Sequence, residues 1–247
     1  MEKAVMEADI VNGLQKIGIR PGMALEVHAS LGALGYVEGG ADAVIRALMA
    51  AVGPEGAIVM PSFRLSRPLP LTEADRALGL TLKIRILDPD ETPSGMGAVA
   101  DTFRRRPDTL TGEGLFRVTA WGKDARIYAK GLRHLINTGG YALLMGVDIY
   151  RLSAMHYVED ALPEAVKEKF RPSEAAVRLY PQDQWFIEAW SPACKPWHTI
   201  QQAAYDRGLI TDGFIGGAKC MLLPVKPVIF LYREALERDA LGLYGLS

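Results

Sequence analysis

His156 and Glu159 are the pair in this chain best suited to move a proton, because residues three apart on a helical segment lie on one face. A carboxylate beside an imidazole raises its basicity, and imidazole is the side chain suited to general-base work at neutral pH. A His-x-x-Glu pair of this kind also serves as a plain structural contact, so its setting matters. It follows the continuously apolar run Leu143-Leu144-Met145-Gly146-Val147, which reads as a fully buried strand. A second carboxylate, Glu188, stands in Trp185-Phe186-Ile187-Glu188-Ala189-Trp190, where it faces either a site or solvent from a strand.

The second chemical feature is a loop of small residues. Val27-His28-Ala29-Ser30-Leu31-Gly32-Ala33-Leu34-Gly35 follows an apolar strand and feeds a helix beginning near Ala41. Small residues let a ligand approach the backbone, and free amides there suit an anionic group such as a pyrophosphate. A tight strand-to-helix turn with no ligand has the same local pattern. A third block, Thr92-Pro93-Ser94-Gly95-Met96-Gly97, is a turn in which Ser94 can cap the next helix, with Arg104, Arg105 and Arg106 near that helix's end.

Other chemistries lack their residues. No Gly-x-Gly-x-x-Gly or phosphate-loop sequence follows a strand, and no Gly-x-Ser-x-Gly nucleophile elbow occurs. The spacing of His28, His134, His156 and His198 gives no zinc pattern, so no metal is expected. Cys194 and Cys220 make no disulfide framework or Cys-x-x-Cys pair and read as buried thiols. A net charge of −1 is not that of a dedicated nucleic-acid binder. No signal-peptide core or apolar run of ~20 residues is present, so neither a membrane nor export is expected, and the protein reads as cytoplasmic.

These blocks must be held by a core, and 247 residues with 49% hydrophobic content suffice for one domain spanning 1–247. Helical spacing of Val5, Ile10, Leu14 and Ile17 predicts a first helix. Strands are then expected at Ala24 to Val27, Ala57 to Met60, Leu115 to Ala120, Tyr141 to Val147 and Lys219 to Leu223. Helices are expected at Ala41 to Val52, Gly97 to Arg106, Asp124 to Leu135, Thr199 to Gly208 and Val225 to Arg238. A strand or hairpin is expected around Val177 to Trp190, and Pro61 to Pro93 reads as irregular, as substrate loops often do. The alternation is that of an α/β protein.

Taken in order, the blocks resemble the aminoglycoside 3-N-acetyltransferase family. The loop at His28 to Gly35 is similar to its His-Ser/Ala-Ser-Leu-Ser-x-Leu-Gly segment, and Asp88 to Pro107 to its Asp-Pro-x-x-Thr-Pro-x-x-Met-Gly…Phe-Arg-x-x-Pro segment. Ser153 to Glu159 resembles its Ser-Leu-His-x-x-Glu motif, and Ile215 to Ala218 its Ile-Gly-x-Ala ending. The resemblance implies a three-layer α/β/α fold with a central mixed sheet, and an N-acetyltransferase that uses acetyl-coenzyme A on a small amine. It implies cofactor contacts at His28, Ser30, Leu31, Gly32, Thr92, Ser94, Met96, Gly97 and Arg104, and a catalytic His156 oriented by Glu159 or Glu188.

Two departures bear on the acceptor. Thr111 to Gly122 lacks the family's His-Pro before Ala-x-Gly, and Arg64, Arg67 and Leu69 stand where the family tends to carry an aspartate. Arginines there repel a polycation, while Glu73, Asp75 and Asp148 are acids that can compensate. A second reading therefore stays open, that of a non-catalytic acyl-coenzyme A-binding protein, as does an acceptor other than an aminoglycoside. A homodimer is also left open, because apolar faces for a dimer and for a core look alike in sequence.

Overall fold

The structure is a computed structural model that describes residues 4–190 and 194–246, without the side chains of residues 194 and 195. The expectation for Cys194 therefore lies outside the described side chains. Its strands are β1 (Ala24–Ala29), β2 (Ala57–Pro61), β3 (Leu82–Arg85), β4 (Leu110–Thr111), β5 (Val118–Gly122), β6 (Tyr141–Met145), β7 (Trp185–Glu188), β8 (Thr211–Ile215) and β9 (Ala218–Pro224). Seven of them form one sheet in the order β4-β5-β2-β1-β6-β9-β8. β1 runs parallel to β2 and β6, and the outer pairings are antiparallel, so the sheet is mixed.

Strand alternation explains why the sheet is covered on both faces. In β6, Ala142 and Leu144 enter one apolar layer and Leu143 and Met145 the other, each fully buried. One layer is closed by the helices Glu7–Lys16, Gly40–Val52 and Ala98–Arg104 through Ile10, Leu14, Val44, Leu48 and Phe103. The opposite layer is closed by the helices Cys194–Asp206 and Val225–Leu243 and the 3-10 helix Ser153–Ala161, through Trp197, Ile200, Tyr232 and Met155. This is the three-layer α/β/α arrangement. Among the described residues no helix is long and apolar enough to cross a membrane.

The carboxyl ends of β1, β2 and β6 share one edge, where chain connections leave toward opposite layers. From β1 the chain passes to the helix Gly40–Val52 on one layer, and from β6 to the 3-10 helix on the other. In open α/β sheets such a crevice is where ligands bind. Topology therefore marks this crevice as the candidate site before any side chain is considered.

Several elements differ from the sequence reading. The strand expected at Leu115 starts only at Val118, and the helix expected over Asp124 to Leu135 splits into Ala125–Tyr128 and Arg133–Asn137. Gly131, at φ 129, breaks it with a backbone angle that favours glycine. Val177 belongs to a helix, Glu174–Leu179, because the Ser173 hydroxyl accepts from the Ala176 amide at 3.2 Å and caps it. The segment between Pro61 and Pro93 contains the helix Glu73–Ala77 and β3, which pairs with β7 in a separate two-stranded sheet. The edge strand β8 was not expected; it is mostly exposed and offers little apolar pattern.

Candidate active site

β1 carries Glu26 and His28 on the face that meets the 3-10 helix Ser153–Ala161, and that helix carries His156 and Glu159. Positions i and i+3 eclipse in a 3-10 helix, which brings His156 Nδ1 to 2.7 Å from Glu159 Oε2. The ring rests edge-on against buried Trp197, with centroids 4.9 Å apart. Protein surrounds the imidazole on most sides, yet 53% of the side chain remains accessible from the crevice. Its Nε2 has no hydrogen-bond partner among the described residues.

Crowding disfavours the imidazolium, but the Glu159 hydrogen bond and charge, with the charges of Glu26 and Glu188, outweigh it and raise the His156 pKa above the ordinary histidine value. Glu188 reaches the crevice from β7, on the same strand face as Phe186. Burial, and then the charge of Glu159, push its carboxyl up to about 7 against the pull of His156. Phe186 continues an edge-to-face ladder through Phe116 to Phe63, with centroid spacings of 6.0 and 5.3 Å. An apolar wall thus stands beside the carboxyl group. Trp190, two residues beyond Glu188, packs against Phe170 at 5.1 Å.

The cofactor candidates divide into those facing outward and those turned in. At the end of β1, the Ser30 amide donates to the Met145 carbonyl at 2.9 Å, which binds the loop to β6. Gly32 opens the short turn Gly32–Leu34, and an added Cβ there, as at Gly97, would meet nothing within 4 Å. Leu31 and Met96 pack against the same apolar layer, so both loops border one face of the crevice, and Thr92 is exposed beside them. Gly146 holds the arrangement together: at φ 66, its hypothetical Cβ would lie 2.3 Å from the Ala33 Cβ. A hollow of about 560 Å³ opens nearby between Ala33, Gly146, Asp148, Tyr150 and Lys219, but it includes neither His156 nor Glu188.

His28, Ser94 and Arg104 are engaged inside. His28 Nε2 lies 2.8 Å from Glu26 Oε1. Ser94 does not cap the following helix, whose N-cap is Gly97; its hydroxyl donates to Asp101 Oδ1 at 2.7 Å and its amide to Oδ2 at 2.8 Å. Arg104 is buried and donates to the carbonyls of Pro89 and Glu91 at 3.0 and 3.3 Å. Arg117 also donates to Pro89 and to Ser62, and Arg64 donates to Leu87 at 2.8 Å. Three guanidinium groups therefore hold the turn that precedes Thr92. Asp75, one of the compensating acids, pairs instead with Lys83 Nζ at 2.5 Å and with the Tyr180 hydroxyl. Asp148 lies 3.2 Å from His198.

Glu26 was not singled out from sequence, although an acid two residues before His28 in an otherwise apolar strand was its visible signal. Cys220 is fully buried, and burial lifts its thiol to about 11, which removes it as a nucleophile. Among the described residues no group of His, Cys, Asp and Glu is arranged to hold a metal ion.

A family model for aminoglycoside 3-N-acetyltransferase matches residues 27–237. The chain belongs to that family. Aminoglycoside N(3)-acetyltransferase III of Salmonella is 28% identical over 279 residues, covering 96% of this chain and 91% of that protein. The SPbeta prophage-derived aminoglycoside N(3')-acetyltransferase-like protein YokD of Bacillus subtilis is 30% identical over 178 residues, covering 62% of this chain and 64% of its own length. Among solved structures, aminoglycoside acetyltransferase AAC(3)-IVa in its apo form superposes with a TM-score of 0.72 at 23% identity, over 99% of this chain and 92% of that one. The binary complex of AAC-IIIb with CoASH superposes at 0.70 with 18% identity, over 96% and 97%. This member of the aminoglycoside 3-N-acetyltransferase family is an acetyl-coenzyme A-dependent acetyltransferase, and its fold is the family's.

Proposed function

We propose that this chain acetylates an amine of a small molecule, with the 3-amino group of a 2-deoxystreptamine aminoglycoside as its acceptor, and that His156 is the base. The observation that carries the reading is the 2.7 Å contact between His156 Nδ1 and Glu159 Oε2. It fixes the tautomer with hydrogen on Nδ1 and turns the Nε2 lone pair toward the acceptor. His156 takes the proton released as the amine nitrogen bonds to the acyl carbon, and passes it to the departing sulfur. When bound, acetyl-coenzyme A supplies the electrophilic carbonyl and the thiolate leaving group. Leu31, Gly32, Thr92, Met96 and Gly97 border it, and the open space at Gly32 and Gly97 fits a ligand at the backbone. His28, Ser94 and Arg104 shape those loops from within.

Glu188, titrating near neutrality, accepts an ammonium group of the acceptor, and the Phe63, Phe116 and Phe186 rings flank the substrate's less polar face. Residues 1–247 act as one unit, a reading supported by a relative aligned over 96% of the chain. Release of free thiol from acetyl-coenzyme A, assayed against aminoglycosides and a mixed amine library, tests the proposal. His156→Ala should lower turnover on the order of 10²-fold or more. Binding of coenzyme A with no thiol release for any amine would overturn the catalytic reading.

A further inference from the structure

Glu26 lies in the middle of β1, the central strand of the parallel trio, and is fully buried. Its neighbours in register are Val59 and Ala142, which leaves the carboxylate in an apolar layer. Oε1 is 2.8 Å from His28 Nε2 and accepts from the Ala154 amide at 3.2 Å, whereas Oε2 has no partner among the described residues. A buried carboxylate with an unpaired oxygen destabilises a fold, and an apolar side chain of similar size avoids that penalty. Stability alone does not account for it. Ala154 opens the 3-10 helix that presents His156 two residues later, and no other side-chain bond ties the start of that helix to β1 except the approach of Ser153 to His28, among the described residues.

We propose that Glu26 is a positioning residue for His156, clamping the start of its helix to the central strand so that Nε2 meets the acceptor amine. This rests on His156 being the base. The groups that act on the imidazole are Glu159 on its own helix, Glu26 on β1, Glu188 on β7 and the Trp197 ring, with Tyr232 and Tyr244 behind Glu159. Both tyrosines are held protonated by burial and add no charge there, whereas Glu26 is among the carboxylates that raise the basicity of the ring.

Glu26→Met and Glu26→Gln test this. The methionine variant should lose about 10-fold or more in kcat, change its KM for acetyl-coenzyme A less than that, and melt no lower than the parent. The glutamine variant keeps an acceptor for Ala154 but no charge, so it should retain most of kcat while the acid limb of its pH profile moves to lower pH. A methionine variant with the parent's kcat and pH profile overturns the proposal. NMR titration of the His156 ring in the glutamine variant provides a second decision if the methionine variant does not fold, since an unchanged titration also overturns it. That titration is readable without turnover, so a wild-type protein inactive on every amine would sink the proposed reaction and leave this inference separately testable.

Discussion

The functional weight of the crevice rests on which proton each residue keeps near neutral pH. His156 holds its proton above the ordinary histidine range, because Glu159, Glu26 and Glu188 together outweigh the crowding around the ring. The free-base form therefore appears only as pH rises past that raised value, and kcat/KM should climb above the ordinary histidine range rather than within it. Glu159→Gln removes both the hydrogen-bonded charge and the largest opposing influence. Its acid limb should move to lower pH while the plateau falls by about 10-fold or more, because the tautomer and ring orientation are no longer fixed. A pH profile of thiol release checks this, and an unshifted limb would mean that Glu159 does not set the basicity of His156. The His-x-x-Glu spacing was legible in sequence because it is local. Glu26 was not, since its meaning depends on the Ala154 amide more than a hundred residues away.

Under the proposed function, short elements at the sheet edge decide how closely acetyl-coenzyme A can approach. Gly146 ends β6 and permits the Ser30–Ala33 segment to lie directly on it, in a conformation strained for any residue with a Cβ. Gly146→Ala should displace that loop, raising KM for acetyl-coenzyme A several-fold while kcat changes less, because His156 stands on the opposite layer. Steady-state kinetics with each substrate varied in turn separate the two effects; an equal fall in kcat would show that the loop and the base are coupled. Long apolar elements such as β6 and the helix Gly40–Val52 were readable from their own periodicity. β3, β8 and the helix Glu73–Ala77 were not, because they are short and draw their stability from partners distant in sequence. The turn before Thr92 was legible as a turn, but its three arginine anchors were not, since they arrive from three separate elements.

At the scale of the whole molecule, the wide sheet and the small β3–β7 sheet contribute unequally to rigidity. The wide sheet has apolar layers on both faces, whereas the small one is backed chiefly by Leu80, Ala176 and Ile187. Its firmest polar tie is the covered pair of Asp75 and Lys83, where the lysine and then the Tyr180 hydroxyl hold the Asp75 carboxyl far below the usual range. A depressed carboxyl stabilises the folded protein above its unfolded pKa of ~3.9 and loses that contribution as pH falls through the folded value. Asp75→Asn should therefore destabilise by about 1–3 kcal/mol at neutral pH, leaving Lys83 without its charge partner, and the loss should shrink in strong acid, as thermal melts against pH would reveal. The small sheet also delivers Glu188 to the crevice, so under the proposed function its mobility bears on acceptor binding. Hydrogen exchange should be faster in β3 and β7 than in β1 and β6, because an element with few buried apolar contacts opens locally at lower free energy. Acceptor held by Glu188 should slow exchange in β7, while coenzyme A alone should protect the Ser30–Leu34 and Thr92–Gly97 loops. Exchange in β7 that is as slow as in β1 without ligand would mean that Glu188 is already fixed, and that the acceptor side of the crevice is rigid before substrate arrives.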